Sequence, residues 1–233
     1  MKITYPSQCL FLLLLLLALA VSGCTETPMR LSAQSQQAIN FSGDWELNYA
    51  QSDQLQARLN STFRELRKKA ERSRPPVSDR AGPQINLATS SHDADSLIAL
   101  ARMADLITQS PLLHIKQDEQ GILVKREANF ALDCQFVGEQ AYRLDSALGR
   151  ERCGWLGHQL AFTLLLPEGL SIRHLLTLSS DRQQLNIATT LVSDQVSMPF
   201  TLNRVYQRFD PGSRGYHCKM TLTKGRVCST ESQ

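Results

Sequence analysis

The chain contains none of the short motifs that carry common chemistry. It has no Gly-x-Ser-x-Gly elbow, no Walker loop, no His-Glu-x-x-His and no Cys-x-x-Cys. Nothing therefore points to a hydrolase elbow, a nucleotide phosphate cradle or a zincin site, and the chain reads as non-enzymatic. An excess of one charge is also missing. Lys and Arg number 25 against 22 Asp and Glu, a net charge of +3, which does not suggest a nucleic-acid binder. A spanning helix needs roughly 20 apolar residues, and the apolar run Cys9–Val21 has only thirteen. The five histidines, His92, His114, His158, His174 and His217, include no pair at metal-ligand spacing. His174 is in phase with Ile172 and Leu176, so it reads as a core histidine, not a ligand. The strand period turns Asp133 away from Leu132 and Cys134, toward solvent. Neither a metal nor a cofactor is expected.

What is present begins with Lys2, the run Cys9–Val21 and the small residues Leu19-Ala20-Val21-Ser22-Gly23-Cys24. The run is too short to span and reads as a signal segment. Its end resembles the lipobox of bacterial lipoproteins. That resemblance implies cleavage before Cys24, diacylglycerol and palmitate-like chains on that cysteine, and a membrane as the first partner. Each buried methylene contributes about 0.8 kcal/mol, and two or three chains anchor durably where one does not. Thr25 stands where Asp would retain an enterobacterial lipoprotein in the inner membrane, which favours the outer membrane, facing the periplasm. The alternative is an ordinary secretory signal followed by a chance cysteine.

Cys9 leaves with the signal and Cys24 takes lipid, so Cys134, Cys153, Cys218 and Cys228 remain. Their number is even and the compartment oxidising, so disulfides are expected. Three pairings are formally possible; Cys134–Cys153 with Cys218–Cys228 closes the smallest loops. A zinc site is the alternative, but the close paired ligands of structural sites are missing.

Composition divides the rest of the chain. Residues 24–40 are rich in Ser, Gln, Thr and Ala and read as a flexible tether. Trp45, Leu47 and Tyr49 alternate with polar residues, so 43–49 is a strand. Leu55, Leu59, Phe63, Leu66 and Ala70 form one helical stripe over 52–74, with Ser52 as the N-cap and Pro75-Pro76 as the stop. Its outer face carries Arg58, Arg64, Arg67, Lys68, Lys69, Arg72 and Arg74. Positive charge toward a helix C-terminus suits the dipole; an anion-binding patch is the alternative. A loop over 74–91 precedes a second helix at 93–109. Nine short alternating runs follow, near 112–117, 121–127, 129–137, 140–144, 151–156, 158–166, 169–178, 183–192 and 197–208. The polar tail 211–233 reads as a hairpin clamped by Cys218 and Cys228.

One strand, two helices and nine meandering strands is the order of the intracellular fatty-acid-binding proteins. Phe41-Ser42-Gly43-Asp44-Trp45-Glu46-Leu47 resembles the calycin opening, with the Gly-x-Trp shared with lipocalins. Asn203-Arg204-Val205-Tyr206-Gln207 resembles the closing Arg-x-Tyr strand. The resemblance implies a mainly β fold over 41–210: an antiparallel up-and-down β-barrel or half-barrel of about ten strands, with the two helices inserted after the first. In a half-barrel, helix 52–74 would fill the concave face. The resemblance also implies that Arg204 and Tyr206 hold the head group of a small acyl amphiphile. The structural alternative stacks Arg204 on Trp45. The function implied is a membrane-anchored binding module; the other reading is an envelope interaction or assembly protein with an envelope-protein partner and no small ligand.

Overall fold

Each run of alternating apolar residues becomes a strand whose apolar side faces one interior. The computed structural model describes residues 31–72, 87–127, 129–136, 142–146, 149–211, 217–221 and 225–229. In chain order these form β1 (Gly43–Leu47), α1 (Leu55–Arg72), α2 (Leu87–Thr108), β2 (Leu112–Gln117), β3 (Gly121–Arg126), β4 (Leu132–Gln135), β5 (Tyr142–Ser146), β6 (Gly149–Leu156), β7 (Gln159–Leu165), β8 (Ser171–Leu178), β9 (Gln184–Val192), β10 (Phe200–Phe209), β11 (His217–Thr221) and β12 (Gly225–Ser229). The first ten strands make one antiparallel sheet, ordered β4-β3-β2-β1-β10-β9-β8-β7-β6-β5. It curls into a half-barrel with β4 and β5 as its free edges. The leader, Cys24 and the tether up to residue 30 lie outside the described residues.

The inward faces follow the period of two. Leu185, Ile187, Thr189 and Leu191 of β9 are buried, as are Ile172, His174 and Leu176 of β8. Two apolar clusters lie on this one face. At the β1 end, Trp45, Leu113, Ile115, Ile122, Val124, Trp155, Leu160, Leu176 and Leu185 pack together. At the other end, Ile172, Leu191, Phe200 and Leu202 meet Leu97, Leu100, Ala101 and Ala104 of α2. Each fully buried large side chain contributes roughly 1.5–3 kcal/mol.

The helix filling the concave face is therefore α2, not helix 52–74 as expected. Along α1 only Leu59 and Thr62 are buried. The reason is shape: Ala101 and Ala104 let the α2 backbone approach the sheet, whereas α1 carries long cationic side chains around most of its circumference. Two of those cations fasten α1 to β10 and the turn before it, with Arg58 Nε donating to Thr201 O at 2.8 Å and Lys69 Nζ to Ser197 O at 3.2 Å. Helix α2 also starts at Leu87, inside the segment expected to be loop; the sequence of 87–92 is largely polar and shows no apolar stripe, which concealed the start.

Ser52 does not cap α1, which begins three residues later. Pairing of β1 with β10 stops at Leu47 and Tyr206, leaving the rest of the β10 edge open. The turn after β1 completes it with side chains. Ser52 Oγ accepts from Val205 N at 3.0 Å, and Asp53 Oδ2 from Asn203 N at 2.9 Å. Backbone bonds from Asn48 N to Val205 O and from Asp53 N to Asn203 O alternate with them.

The second half of the expected tether is also structured. Ser32 and Trp155 exchange both backbone bonds, at 2.9 and 2.7 Å, and Gln36 N donates to Gly157 O. These residues cover the part of β6 beyond its pairing with β5, shielding an edge that would otherwise template aggregation. Phe41 then enters the core and stacks on Trp155, with centroids 5.7 Å apart. Composition alone described 31–40 as polar and could not register an attachment made mainly by backbone bonds.

Candidate functional site

Between the two apolar clusters the inward face turns polar. His174 and Thr189 are register partners on β8 and β9, and His174 Nδ1 lies 2.8 Å from Thr189 Oγ1. On β10 the next inward positions toward the β1 end are Arg204 and Tyr206. Opposite them, Arg126 ends β3 on the face already set by Ile122 and Val124. The last turn of α2, which carries no basic residue of its own, projects its C-terminal carbonyls into this belt. Cations from the sheet supply what the helix lacks.

Arg204 uses all three of its side-chain nitrogens on the protein. Nε donates to Thr108 Oγ1 at 3.2 Å, Nη1 to Asp53 O at 2.9 Å and Nη2 to Asp105 Oδ1 at 2.6 Å. The Asp105 contact is an ion pair in which the Arg side chain is 11% exposed and the Asp 24%. Arg204 thus binds the start of α1 and the last turns of α2 to the closing strand. The Tyr206 hydroxyl donates to Ser110 O at 3.1 Å. Burial pushes the Tyr206 phenol up to about 12, with Arg204 and Arg126 opposing the rise.

The stacking expected of Arg204 on Trp45 is made by Arg208 instead, 4.2 Å above the indole. Arg208 is anchored by Nη1 donating to Ser42 O at 2.7 Å and Nε to Arg182 O at 3.0 Å. The register explains the exchange. Trp45 lies opposite Arg208, whereas Arg204 lies beyond the end of β1. Gly43 makes this possible: its φ is +138°, and a Cβ there would collide with Arg208 Nη1. The Gly-x-Trp spacing therefore serves Arg208 on β10 by leaving space over the indole.

Cys134 of β4 and Cys153 of β6 form a disulfide, with Cα atoms 5.8 Å apart. It ties one free edge of the half-barrel to the strand behind the other. In the tail, Cys218 stands opposite Cys228 in the β11–β12 register, which leaves that pairing an expectation. Of the other histidines, His114 Nδ1 contacts Asp44 Oδ1 at 2.9 Å across β1 and β2, and His158 is exposed. Among the described residues no group of three His, Cys, Asp or Glu could hold a metal, and no helix is long and apolar enough to cross a membrane.

The gap between the free edges opens into a cavity of about 300 Å³. Its walls are Leu132, Phe162, Leu164 and Ile172, with Ile107 of α2 above and Arg126, His174 and Cys153 inside. Phe130, Asp133, Glu151 and Arg152 stand at the mouth, and all four are exposed. Arg126 Nε donates to Phe130 O at 2.7 Å and Nη1 to Ile107 O at 3.0 Å. Burial lowers its pKa, and Tyr206 opposes the shift. Arg126 lies within the expected strand 121–127, and no motif singles it out. The signal was available, since it stands two residues after Val124 and so falls on the inward face.

Burial, and secondarily the Arg126 charge, lower the His174 pKa to about 3. An unfolded histidine protonates near 6.5, so between these values the unfolded chain binds the extra proton and stability falls with pH. Above about pH 6.5 the contribution is constant. At pH 5 the loss should be about 2 kcal/mol. Urea midpoints of the wild type and His174→Gln at pH 8, 6 and 5 check this: their difference should change across the window, and a constant difference would refute it.

No protein-family model matches this chain, and no curated protein matches it. Among solved structures, the chain is similar to the crystal structure of secretory abundant heat soluble protein 4 from Ramazzottius varieornatus, with 16% identity, coverage of 73% of this chain and 95% of that chain, and a TM-score of 0.34.

Proposed function

We propose that the half-barrel is a non-enzymatic binding module for a small amphiphile, held at the bacterial cell envelope by lipid on Cys24. The observation that carries the binding reading is the cavity of about 300 Å³ under the β4–β6 gap, apolar on its walls and polar at its inner end. Ligand pockets are concave, mostly apolar and furnished with a few converging polar groups, and this one has that composition. The lipid anchor rests on Val21-Ser22-Gly23-Cys24, with the outer membrane favoured by Thr25. Native mass spectrometry of the gently extracted full chain tests the binding reading: a stoichiometric small adduct supports it, and a clean apo mass together with no uptake of any acyl probe removes it. Labelled-palmitate incorporation tests the anchor, which should be lost in Cys24→Ser; continued labelling would sink it.

A second reading has its own observation. A groove of about 630 Å³ runs between α1 and α2, with Phe63, Leu66 and Ala70 on its floor and Arg64, Arg67 and Lys69 along it. An acidic segment of an envelope protein would fit that chemistry, and the chain would then act in assembly with no small ligand. Co-purification of a protein with the apo chain, lost on Arg64→Glu with Arg67→Glu, would favour it.

A further inference from the structure

The binding reading leaves the ligand class open, and Arg126 narrows it. Its side chain lines the cavity, and among the described residues it bonds only to two carbonyl oxygens, Phe130 O and Ile107 O. Among the described residues it has no carboxylate partner, and Nη2 has no protein acceptor. A guanidinium does not deprotonate in proteins, and a charge withdrawn from water is costly unless paired. The two carbonyls offset part of that cost without neutralising the charge. Arg204, on the same belt, shows what a satisfied interior arginine looks like here, with Asp105 as its anion.

His174 lies in the same cavity and has a similar vacancy. Its Nδ1 is taken by Thr189 Oγ1, and Nε2 has no partner among the described residues. When the Thr189 hydroxyl donates to Nδ1, Nε2 carries the proton and is a donor. In that tautomer the inner end of the cavity holds a cation and a neutral donor, both without an acceptor among the described residues. Beyond them the walls are apolar as far as the mouth, where Phe130 is 90% exposed. An exposed aromatic ring at the rim of an apolar cavity is placed to cover a bound apolar group.

We propose that this cavity binds a small monocarboxylic acid, its carboxylate held by Arg126 and His174 and its apolar body along Leu132, Phe162, Leu164 and Ile172 under Phe130. The charge-assisted bond that the Nη2 of a guanidinium offers a carboxylate sets the head-group class. At about 30 Å³ per water-sized unit, the cavity takes an apolar acid of roughly ten such units, a medium-chain or single-ring acid. The head-group site is on β3 and β8, not on the closing strand. This assignment rests on the binding-module reading above.

Titration calorimetry on the purified full chain, with decanoate and 1-decanol at pH 7.5, tests it. Decanoate should bind at least about tenfold more tightly than the alcohol, in line with a charge-assisted contact. Arg126→Gln should abolish that preference while keeping alcohol binding. Phe130→Ala, at an exposed position whose backbone carbonyl is retained, should weaken both ligands several-fold without changing the urea midpoint. Equal affinity for acid and alcohol in the wild type would overturn the carboxylate assignment and leave the binding module standing, as would an acid preference that survives Arg126→Gln. Binding of neither ligand would overturn both. If Arg126→Gln does not fold, the wild-type preference together with Phe130→Ala decides.

Discussion

Replacing Arg204 by Gln should lower stability by about 2–4 kcal/mol, the cost of breaking a largely buried ion pair, reduced because Asp105 is a quarter exposed. The substitution removes the bond to Asp105 and strands the Asp53 carbonyl and the Thr108 hydroxyl, each of which loses its donor. The damage should be local first. Arg204 is where α1, α2 and the closing strand meet, so hydrogen exchange should accelerate over 93–108 before it does in the β1–β2–β10 region. Decanoate affinity per folded molecule should stay the same. A head-group arginine would behave in the opposite way, losing acid binding with little change in the urea midpoint, and that result would return the binding site to the closing strand.

The second large effect should come from the Cys134–Cys153 disulfide. The bond closes a loop with a sequence separation of 19, for which the chain-entropy model gives about 3 kcal/mol. For a chain of this size that corresponds to a fall in Tm of roughly 6–12 °C. Cys134→Ala with Cys153→Ala should show it, since alanine adds no buried hydroxyl at two positions that are 0% and 2% exposed. The bond joins β4 to β6 across the gap, so its loss should also loosen the cavity mouth and weaken ligand binding more than the fall in stability explains. An unchanged midpoint would show that the edges are held together by packing alone. Non-reducing peptide mapping of the same material reports the tail: Cys218 joined to Cys228 is expected from their opposed register, and two free thiols there would exclude it.

Much of this architecture was legible in the sequence. The period of two located all ten strands of the sheet, and the turn residues between them set their order. It placed His174 and Tyr206 on the inward face, where both are buried. Joining neighbours in sequence closes the smallest loops, and Cys134 is joined to its neighbour Cys153. The lipobox resemblance lies in residues 19–24 and needs no tertiary contact to be read.

Only the tertiary structure decided what the inward polar residues touch. Period fixes the face a side chain takes, but not its depth along the barrel, because depth depends on the register with strands far away in sequence. Trp45 faces Arg208 and not Arg204 because β1 ends at Leu47, and that boundary is set by a turn whose side chains complete the β10 edge. The same limit applies to the helices. The stripe on α1 looked stronger, yet α2 fills the half-barrel, since close approach is governed by the small residues Ala101 and Ala104. Residues 31–40 looked like tether because backbone bonds to β6 leave no mark on composition. The cavity is a property of two edges that fail to meet, and no local pattern records a strand pairing that does not form.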